Sequence, residues 1–385
     1  MRALFATICG IIIYGSLFPF DFYWPNFEQF SWLDWTLSLE ERTTNGDRLS
    51  NLLTFIPLGF FGYFYNPFNL NRFATKSLSV IAVCLLIAYC LQVLQIFTPH
   101  RVPSVGDVFY NIWGVMFGIA GAFSIENFLI RKTALSEIWF FEYSVATALA
   151  LFACMYFLFP FFFQIDIDDF IQSALPIWTP PWIIPEVFIL LFAYWLSFLT
   201  LLKHCFWKDF SYSSLAIIIS VLLLLKIISA HNFVDLNWIF AAFLSLLVIK
   251  YCPRVWIEKV VLAMLVLALV LPVVVPWKIK MLSAEFNWIP MNSYLNGSLW
   301  LNTQLFLEKI FLFGSLLYFS KRLFGNWLIA AVVCAGLVFV VEILQLFISL
   351  GQASITEPLM VVILGWVFVN LESSKPNIKS FVSDN

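Results

Sequence analysis

Gln92 and Gln95 stand three residues apart in an apolar run, which places both amides on one face of a helix. Arg101 follows beside His100. Asp107, Asn111, Gly114 and Gly118 come next at spacings of 4, 3 and 4, one stripe of a second helix. An arginine with acids nearby can hold a phosphate or a carboxylate. A further polar set, Glu342, Gln345, Ser354 and Glu357, lies toward the other end of the chain. No His-x-x-x-His pair or clustered cysteines suggests a metal site, and the sequence has neither a glycine-rich phosphate loop nor a serine-nucleophile motif. No metal and no cofactor is therefore expected, and enzyme activity has no motif behind it.

The two polar sets are related by an internal repeat. Leu91-Gln92-Val93-Leu94-Gln95-Ile96-Phe97 aligns with Val341-Glu342-Ile343-Leu344-Gln345-Leu346-Phe347 at an offset of 250. At the same offset Ser104 meets Ser354 and Asp107 meets Glu357, each a Ser-x-x-acid that opens an apolar segment. Arg101 becomes Gly351 and Asn111 becomes Val361. Pro57-Leu58-Gly59 has a weaker counterpart in Leu312-Phe313-Gly314.

The elements that must position these residues follow from composition. Of 385 residues 62% are hydrophobic and 11% charged, where a soluble domain carries roughly 25% charged residues. A lipid bilayer must therefore be the solvent for most of the chain. The net charge of -2 gives no electrostatic case for nucleic acid. Twelve apolar segments read as spans, near 3–20, 49–65, 77–97, 107–130, 138–163, 183–202, 210–230, 233–250, 256–276, 305–320, 326–349 and 356–371. The second, tenth and twelfth are close to the lower length limit. With the N-terminus inside, fourteen Lys and Arg fall in cytoplasmic segments and five (Arg42, Arg48, Arg101, Lys278 and Lys280) outside, with Lys226 and Lys309 inside spans. The expected fold is thus all-α: a polytopic integral membrane helix bundle of about twelve transmembrane helices with both termini in the cytoplasm, in the cell's cytoplasmic membrane. Its expected organisation is a four-helix unit at 1–130, a middle four-helix block at 131–254, a second four-helix unit at 255–372 and a cytoplasmic tail at 373–385. Both four-helix units start inside, so they are expected to be parallel repeats about the membrane normal. Phe18-Pro19-Phe20 in place of a small-residue cleavage site marks the first segment as an uncleaved helix. None of the seven cysteines falls in an expected outer loop, which argues against an exported disulfide framework.

Each polar residue also has a plain structural reading. Ser104 to Asp107 and Ser354 to Glu357 fit capping boxes, Gly114 and Gly118 fit close helix packing, Pro57 fits a helix kink, and His100 fits a surface loop. Glu342 resists such a reading. A charged carboxylate deep in a bilayer costs roughly 2.5–3.5 kcal/mol, so it must be protonated or paired, and its own repeat has no arginine. Two accounts remain open: a composite outer site joining Arg101, Asp107 and Asn111 to Glu342, or decay of the second copy.

The segment Asn51-Leu52-Leu53-Thr54-Phe55-Ile56-Pro57-Leu58-Gly59, continued by Gln95, Arg101, Asp107, Asn111, Gly114 and Gly118, resembles the VanZ-like family of polytopic membrane proteins. Gln92 stands where that family shows Glu, while the second unit keeps Glu342 and Gln345 and resembles a degenerate copy. The resemblance implies a cell-envelope protein with a link to teicoplanin-type glycopeptide sensitivity. It singles out Asn51, Gln92, Gln95, Arg101, Asp107, Asn111, Glu342 and Gln345 as ligand-binding candidates. The expected partner is an anionic membrane lipid or lipid-linked glycan at the outer leaflet. A membrane enzyme or transporter acting on a lipid-linked envelope precursor is the alternative, with Glu342 or Asp107 as proton carrier.

Overall fold

A computed structural model describes residues 2–24, 45–99, 103–126, 144–161, 167–180, 183–205, 211–229, 232–275, 285–295, 298–348 and 353–373. Among these residues the regular structure is helical, apart from one isolated parallel bridge between Asn287 and Ser354. The helices are α1 (Arg2–Leu17), α2 (Asn45–Tyr65), α3 (Phe73–Gln95), α4 (Val105–Ile125), α5 (Ser144–Leu158), α6 (Ile167–Ala174), α7 (Pro185–Cys205), α8 (Tyr212–Ile228), α9 (Leu236–Tyr251), α10 (Arg254–Val274), α11 (Asn292–Leu295), α12 (Leu299–Phe324), α13 (Trp327–Ile348) and α14 (Thr356–Ser373).

Leaving out the short α6 and α11, one helix falls on each of the twelve apolar segments. Five of them, covering Phe73–Gln95, Val105–Ser124, Pro185–Cys205, Val255–Val274 and Trp327–Phe347, are long and apolar enough to cross a membrane by length and composition. This helical bundle is a membrane protein. The three segments that read as short correspond to α2, α12 and α14, of 21, 26 and 18 residues. At 1.5 Å per residue, α12 alone is roughly 39 Å long. Its apolar run looked brief because Asn302, Thr303 and Gln304 bound it on one side and Lys321 and Arg322 on the other, yet the helix continues through both.

Local signals account for the helix ends. Ser104 caps α4 by accepting from the Gly106 N–H at 3.1 Å, Asp235 caps α9 by accepting from Trp238 at 3.1 Å, and Ser211 caps α8 by accepting from Ser214 at 3.1 Å. Gly325, at φ 74°, closes α12 in the left-handed conformation, its N–H reaching the Lys321 carbonyl at 2.7 Å.

The described residues fall into two compact units, α1–α4 and α5–α14. The first is built around a backbone-to-backbone approach of α2 and α4. A Cβ on Gly114 would lie 2.2 Å from the Leu52 carbonyl oxygen, one on Gly118 2.1 Å from that of Ile56, and one on Gly59 2.2 Å from that of Val115. Only glycine permits this contact, so the glycine stripe serves helix packing. Phe55, Leu58, Val80, Cys84, Leu91, Val108, Val115 and Ile119 fill the core between α2, α3 and α4. Pro57 lies within α2, where its missing N–H leaves the Leu53 carbonyl outside the helical ladder.

In the second unit α7 is the central helix, with every residue from 193 to 202 buried. A helix buried all round belongs inside a bundle. It packs on α5, α9 and α10, while α12 packs on α5, α10, α13 and α14. Lys226 of α8, left inside a span by the sequence reading, is buried and donates to the Phe157 carbonyl at 3.2 Å and to Asn232 Oδ1 at 3.0 Å. Asn232 Nδ2 donates to the Phe159 carbonyl at 2.7 Å, and the Lys226 ammonium lies 4.3 Å from the centre of the Trp238 ring. Lys226 and Asn232 thus satisfy carbonyls at the end of α5 that a finishing helix leaves without partners. None of the seven cysteines is joined in a disulfide.

Candidate functional site

In the first unit the polar residues meet where α3 ends and α4 begins. The Gln92 side chain is buried and bonded on both sides: its Oε1 accepts the Ser104 N–H at 2.9 Å, and its Nε2 points to Asp107 Oδ2 at 3.5 Å. The capping-box reading of Ser104 and Asp107 is half realised. Ser104 Oγ caps α4, but the reciprocal bond from the Ser104 N–H goes to Gln92 instead of Asp107. One turn further along α4, Asn111 is 3% exposed, and among the described residues its Oδ1 has no hydrogen-bond donor. A buried amide oxygen left without a donor costs about 1–3 kcal/mol.

Other candidates separate from this cluster. Gln95 donates to the Ser16 carbonyl at 3.0 Å and so ties α3 to the last turn of α1. Asn51 is half-buried on α2, next to the Leu52 carbonyl that Gly114 approaches. Arg101 and His100 lie outside the described residues. A cation that the sequence reading placed only in an outer loop, Arg48 of α2, lies 5.6 Å from the ring centre of Tyr110, the residue before Asn111. Its position could not be read from spacing, because it depends on how α2 meets α4.

The second unit carries a matching bond. Glu342 Oε2 accepts the Ser354 N–H at 2.7 Å, across the same twelve-residue separation as Gln92 and Ser104. Gln345 Nε2 points to Glu342 Oε1 at 3.3 Å. The preceding loop is bound to the same turn: the Asn287 N–H donates to the Ala353 carbonyl, the Ile355 N–H to the Asn287 carbonyl, and the Met291 N–H to Thr356 Oγ1.

Glu342 finds its charged surroundings inside its own unit. Lys309 Nζ of α12 lies 2.9 Å from Glu357 Oε1 of α14. Glu342 and Glu357 both stand at the start of α14, Glu342 by accepting the Ser354 N–H and Glu357 in the helix's first turn. Beside Lys309 on α12, Glu308 accepts the Tyr194 hydroxyl of α7 at 2.7 Å. Tyr156 of α5 packs edge-on against Tyr194, with ring centres 5.7 Å apart. Tyr294 of α11 faces the same set, and burial together with Glu357, Glu308 and Glu342 pushes its phenol well above the ordinary tyrosine range. The sequence reading lacked Glu308, Tyr194 and the partnership of Lys309. The Glu308-Lys309 pair was a visible signal, since two adjacent charges in an apolar segment are rarely without purpose. Its direct partners, Tyr194 and Glu357, were not visible, because they come from two other helices.

Each site can act differently. The first unit presents buried amide and carboxylate oxygens, which favour a hydrogen-bond donor such as a hydroxyl. The second presents more carboxylates than cations, which favours a positive charge or a proton. Residues 5–131 match the family described as VanZ/LLP1. No curated protein and no solved structure matches the chain.

Proposed function

We propose, from the premise that residues 5–131 are a VanZ-like domain, that this membrane protein binds an anionic lipid or lipid-linked glycan in the outer leaflet of the cytoplasmic membrane. The observation that carries the reading is Asn111, whose buried Oδ1 lacks a donor among the described residues and sits one turn from the Gln92, Ser104 and Asp107 cluster. A hydroxyl-bearing headgroup supplies the missing donor. Arg48, beside Tyr110, and Arg101, in the segment joining α3 to α4, supply positive charge for a phosphate or carboxylate on the same ligand. Altered glycopeptide sensitivity would follow if the lipid bound here carries the envelope precursor that such antibiotics recognise.

The test is native mass spectrometry of the full-length chain extracted from membranes. Wild type is expected to retain an anionic lipid or lipid-linked saccharide, and Asn111→Leu and Arg101→Ala to lose it while keeping the same helical content. Equal retention by all three proteins sinks the reading.

A second reading, an enzyme or transporter acting on such a lipid, draws support from the charged side chains of the second unit. It predicts that an unmodified lipid-linked precursor accumulates in cells lacking the protein, and that Glu342→Ala fails to reverse this. An unchanged precursor pool excludes it. The matching Gln92–Ser104 and Glu342–Ser354 bonds support the proposal that α10, α12, α13 and α14 are a diverged copy of α1–α4.

A further inference from the structure

We propose that α5, α7, α8 and α9 are a further copy of the same four-helix design, and that Lys226 closes in that copy the polar junction which the first unit leaves open at Asn111. The shared design is independent of lipid binding. The contrast between an open and a closed junction rests on the function proposed for the first unit.

The packing of the helices repeats. α1 packs on α2 and α3, and both α2 and α3 pack on α4. The same four contacts recur among α5, α7, α8 and α9, taken in that order, and among α10, α12, α13 and α14. In each set a backbone bond links the segment after the first helix to the turn between the third and fourth. The Tyr23 N–H donates to the Phe97 carbonyl at 2.8 Å, the Val234 N–H to the Ser173 carbonyl at 3.0 Å, and the Asn287 N–H to the Ala353 carbonyl at 2.9 Å. The close approach of α2 and α4 also has a counterpart: the fully buried Ser245 of α9 donates to the Phe192 carbonyl of α7 at 3.3 Å.

The first helices end alike. Leu17-Phe18-Pro19-Phe20 and Leu158-Phe159-Pro160-Phe161 are identical, and Phe20 and Phe161 both stand at φ 66°, a conformation that bulky residues rarely adopt. In both, the carbonyl three residues before the proline accepts from the third helix of the set: Ser16 from Gln95 Nε2 at 3.0 Å, and Phe157 from Lys226 Nζ at 3.2 Å. Lys226 also reaches Asn232 across the following turn at 3.0 Å, as Gln92 reaches Ser104 at 2.9 Å. One lysine thus fills the places of two glutamines. It stands nine residues before the capping Asp235, where Gln92 stands fifteen before Asp107, and the shorter turn hides the copy from a comparison at fixed offset.

The chemistry of the junction differs. The Lys226 ammonium donates to two oxygens and lies 4.3 Å from the centre of the Trp238 ring, while Asn232 Nδ2 donates to the Phe159 carbonyl and Ser229 Oγ to the Leu158 carbonyl. Among the described residues no buried polar side-chain atom of this junction lacks a partner, whereas Asn111 Oδ1 in the first unit does. Lys226 supplies from within the chain the donor that the first unit takes from its ligand.

Full-length protein tests both parts. Lys226→Gln keeps a donor of the kind that serves at Gln95 and is expected to unfold close to the wild-type temperature, with Lys226→Met about 4 °C lower. Equal losses in the two variants overturn the shared design. Phe20→Cys and Phe161→Cys, each at an exposed position, should both react in intact cells with a membrane-impermeant maleimide above the wild-type background. Reaction of the two from opposite sides of the membrane also overturns the design, since copies of one unit here must run in the same direction. For the junction, native mass spectrometry follows phosphatidylglycerol added to the purified protein. Wild type and Lys226→Gln should retain it equally, and Asn111→Leu should lose it. Loss in Lys226→Gln overturns the closed junction. A wild type that retains none ends the closed junction together with the function proposed for the first unit, and the unfolding and labelling results then decide the shared design alone.

Discussion

Lys309 Nζ lies 2.9 Å from Glu357 Oε1, joining the middle of α12 to the first turn of α14 inside the second unit. The bond explains how α12 carries charge through an otherwise apolar bundle. It also gives Glu342 a cationic neighbourhood that its own sequence segment lacks. Its physical consequences can be measured.

Removing one partner should cost more than removing both. Lys309→Met leaves the Glu357 carboxylate unpaired and is expected to lower stability by about 3 kcal/mol, the range for breaking a largely buried ion pair. Lys309→Met combined with Glu357→Gln should recover most of the loss. Thermal unfolding of detergent-solubilised protein, followed by circular dichroism, reads both, and equal losses in the single and double variants would count against the pairing.

Glu342 should tolerate an amide and resist an apolar side chain. Glu342→Gln preserves an acceptor for the Ser354 N–H and is expected to unfold within about 1 kcal/mol of wild type, the net scale of one hydrogen bond. Glu342→Leu leaves that buried N–H unsatisfied, at a cost of about 1–3 kcal/mol. Gln92 offers the same comparison in the first unit, because it accepts the Ser104 N–H in the same way. If the leucine and glutamine variants were equally stable, the Ser354 bond would carry no weight.

The glycine contact between α2 and α4 gives a sharper contrast. Gly118→Ala brings a methyl within 2.1 Å of a backbone oxygen, whereas a methyl at Gly121 meets Phe60 at 3.8 Å, an ordinary contact. Gly118→Ala is expected to destabilise the first unit by about 3 kcal/mol or more, since a backbone must move to make room. Gly121→Ala should be neutral or slightly stabilising, because alanine favours the helix. Fluorescence-detected size-exclusion after a heating series ranks the two, and a folded, heat-resistant Gly118→Ala would contradict the described approach.

Lys226 is expected to act as a cap for α5. Lys226→Met removes the donor to the Phe157 carbonyl and to Asn232, and should cost about 1–3 kcal/mol. Asn232→Ala removes the neighbouring bond to the Phe159 carbonyl and should act in the same direction. Because the two share one network, their losses in a thermal unfolding series should be less than additive.

Much of the framework is legible in the order of residues. Apolar run length alone placed one helix on each of twelve segments, since a chain in lipid must satisfy its backbone within helices. The spacing of Asp107, Asn111, Gly114 and Gly118 placed them on one helix stripe, and the 250-residue offset paired Gln92 with Glu342. Those features are periodic or local, so a linear chain preserves them. The lengths of α2, α12 and α14 were less legible, because polar and charged residues lowered the apolar signal without ending the helix.

The sequence by itself determined that this is a helical membrane protein, where its polar residues fall along each helix, and that its first third has the motif of a VanZ-like domain. Only the tertiary structure decided what those residues touch. It turned Gln95 toward the Ser16 carbonyl, gave the Ser104 N–H to Gln92 instead of Asp107, set α7 at the centre of its unit, and gathered Glu342, Glu357, Lys309, Glu308 and Tyr194 from four helices. The reason is physical: helices of nearly uniform apolar composition carry almost no record of their neighbours. A buried charge states that it needs a partner, and only the packing of the helices names it.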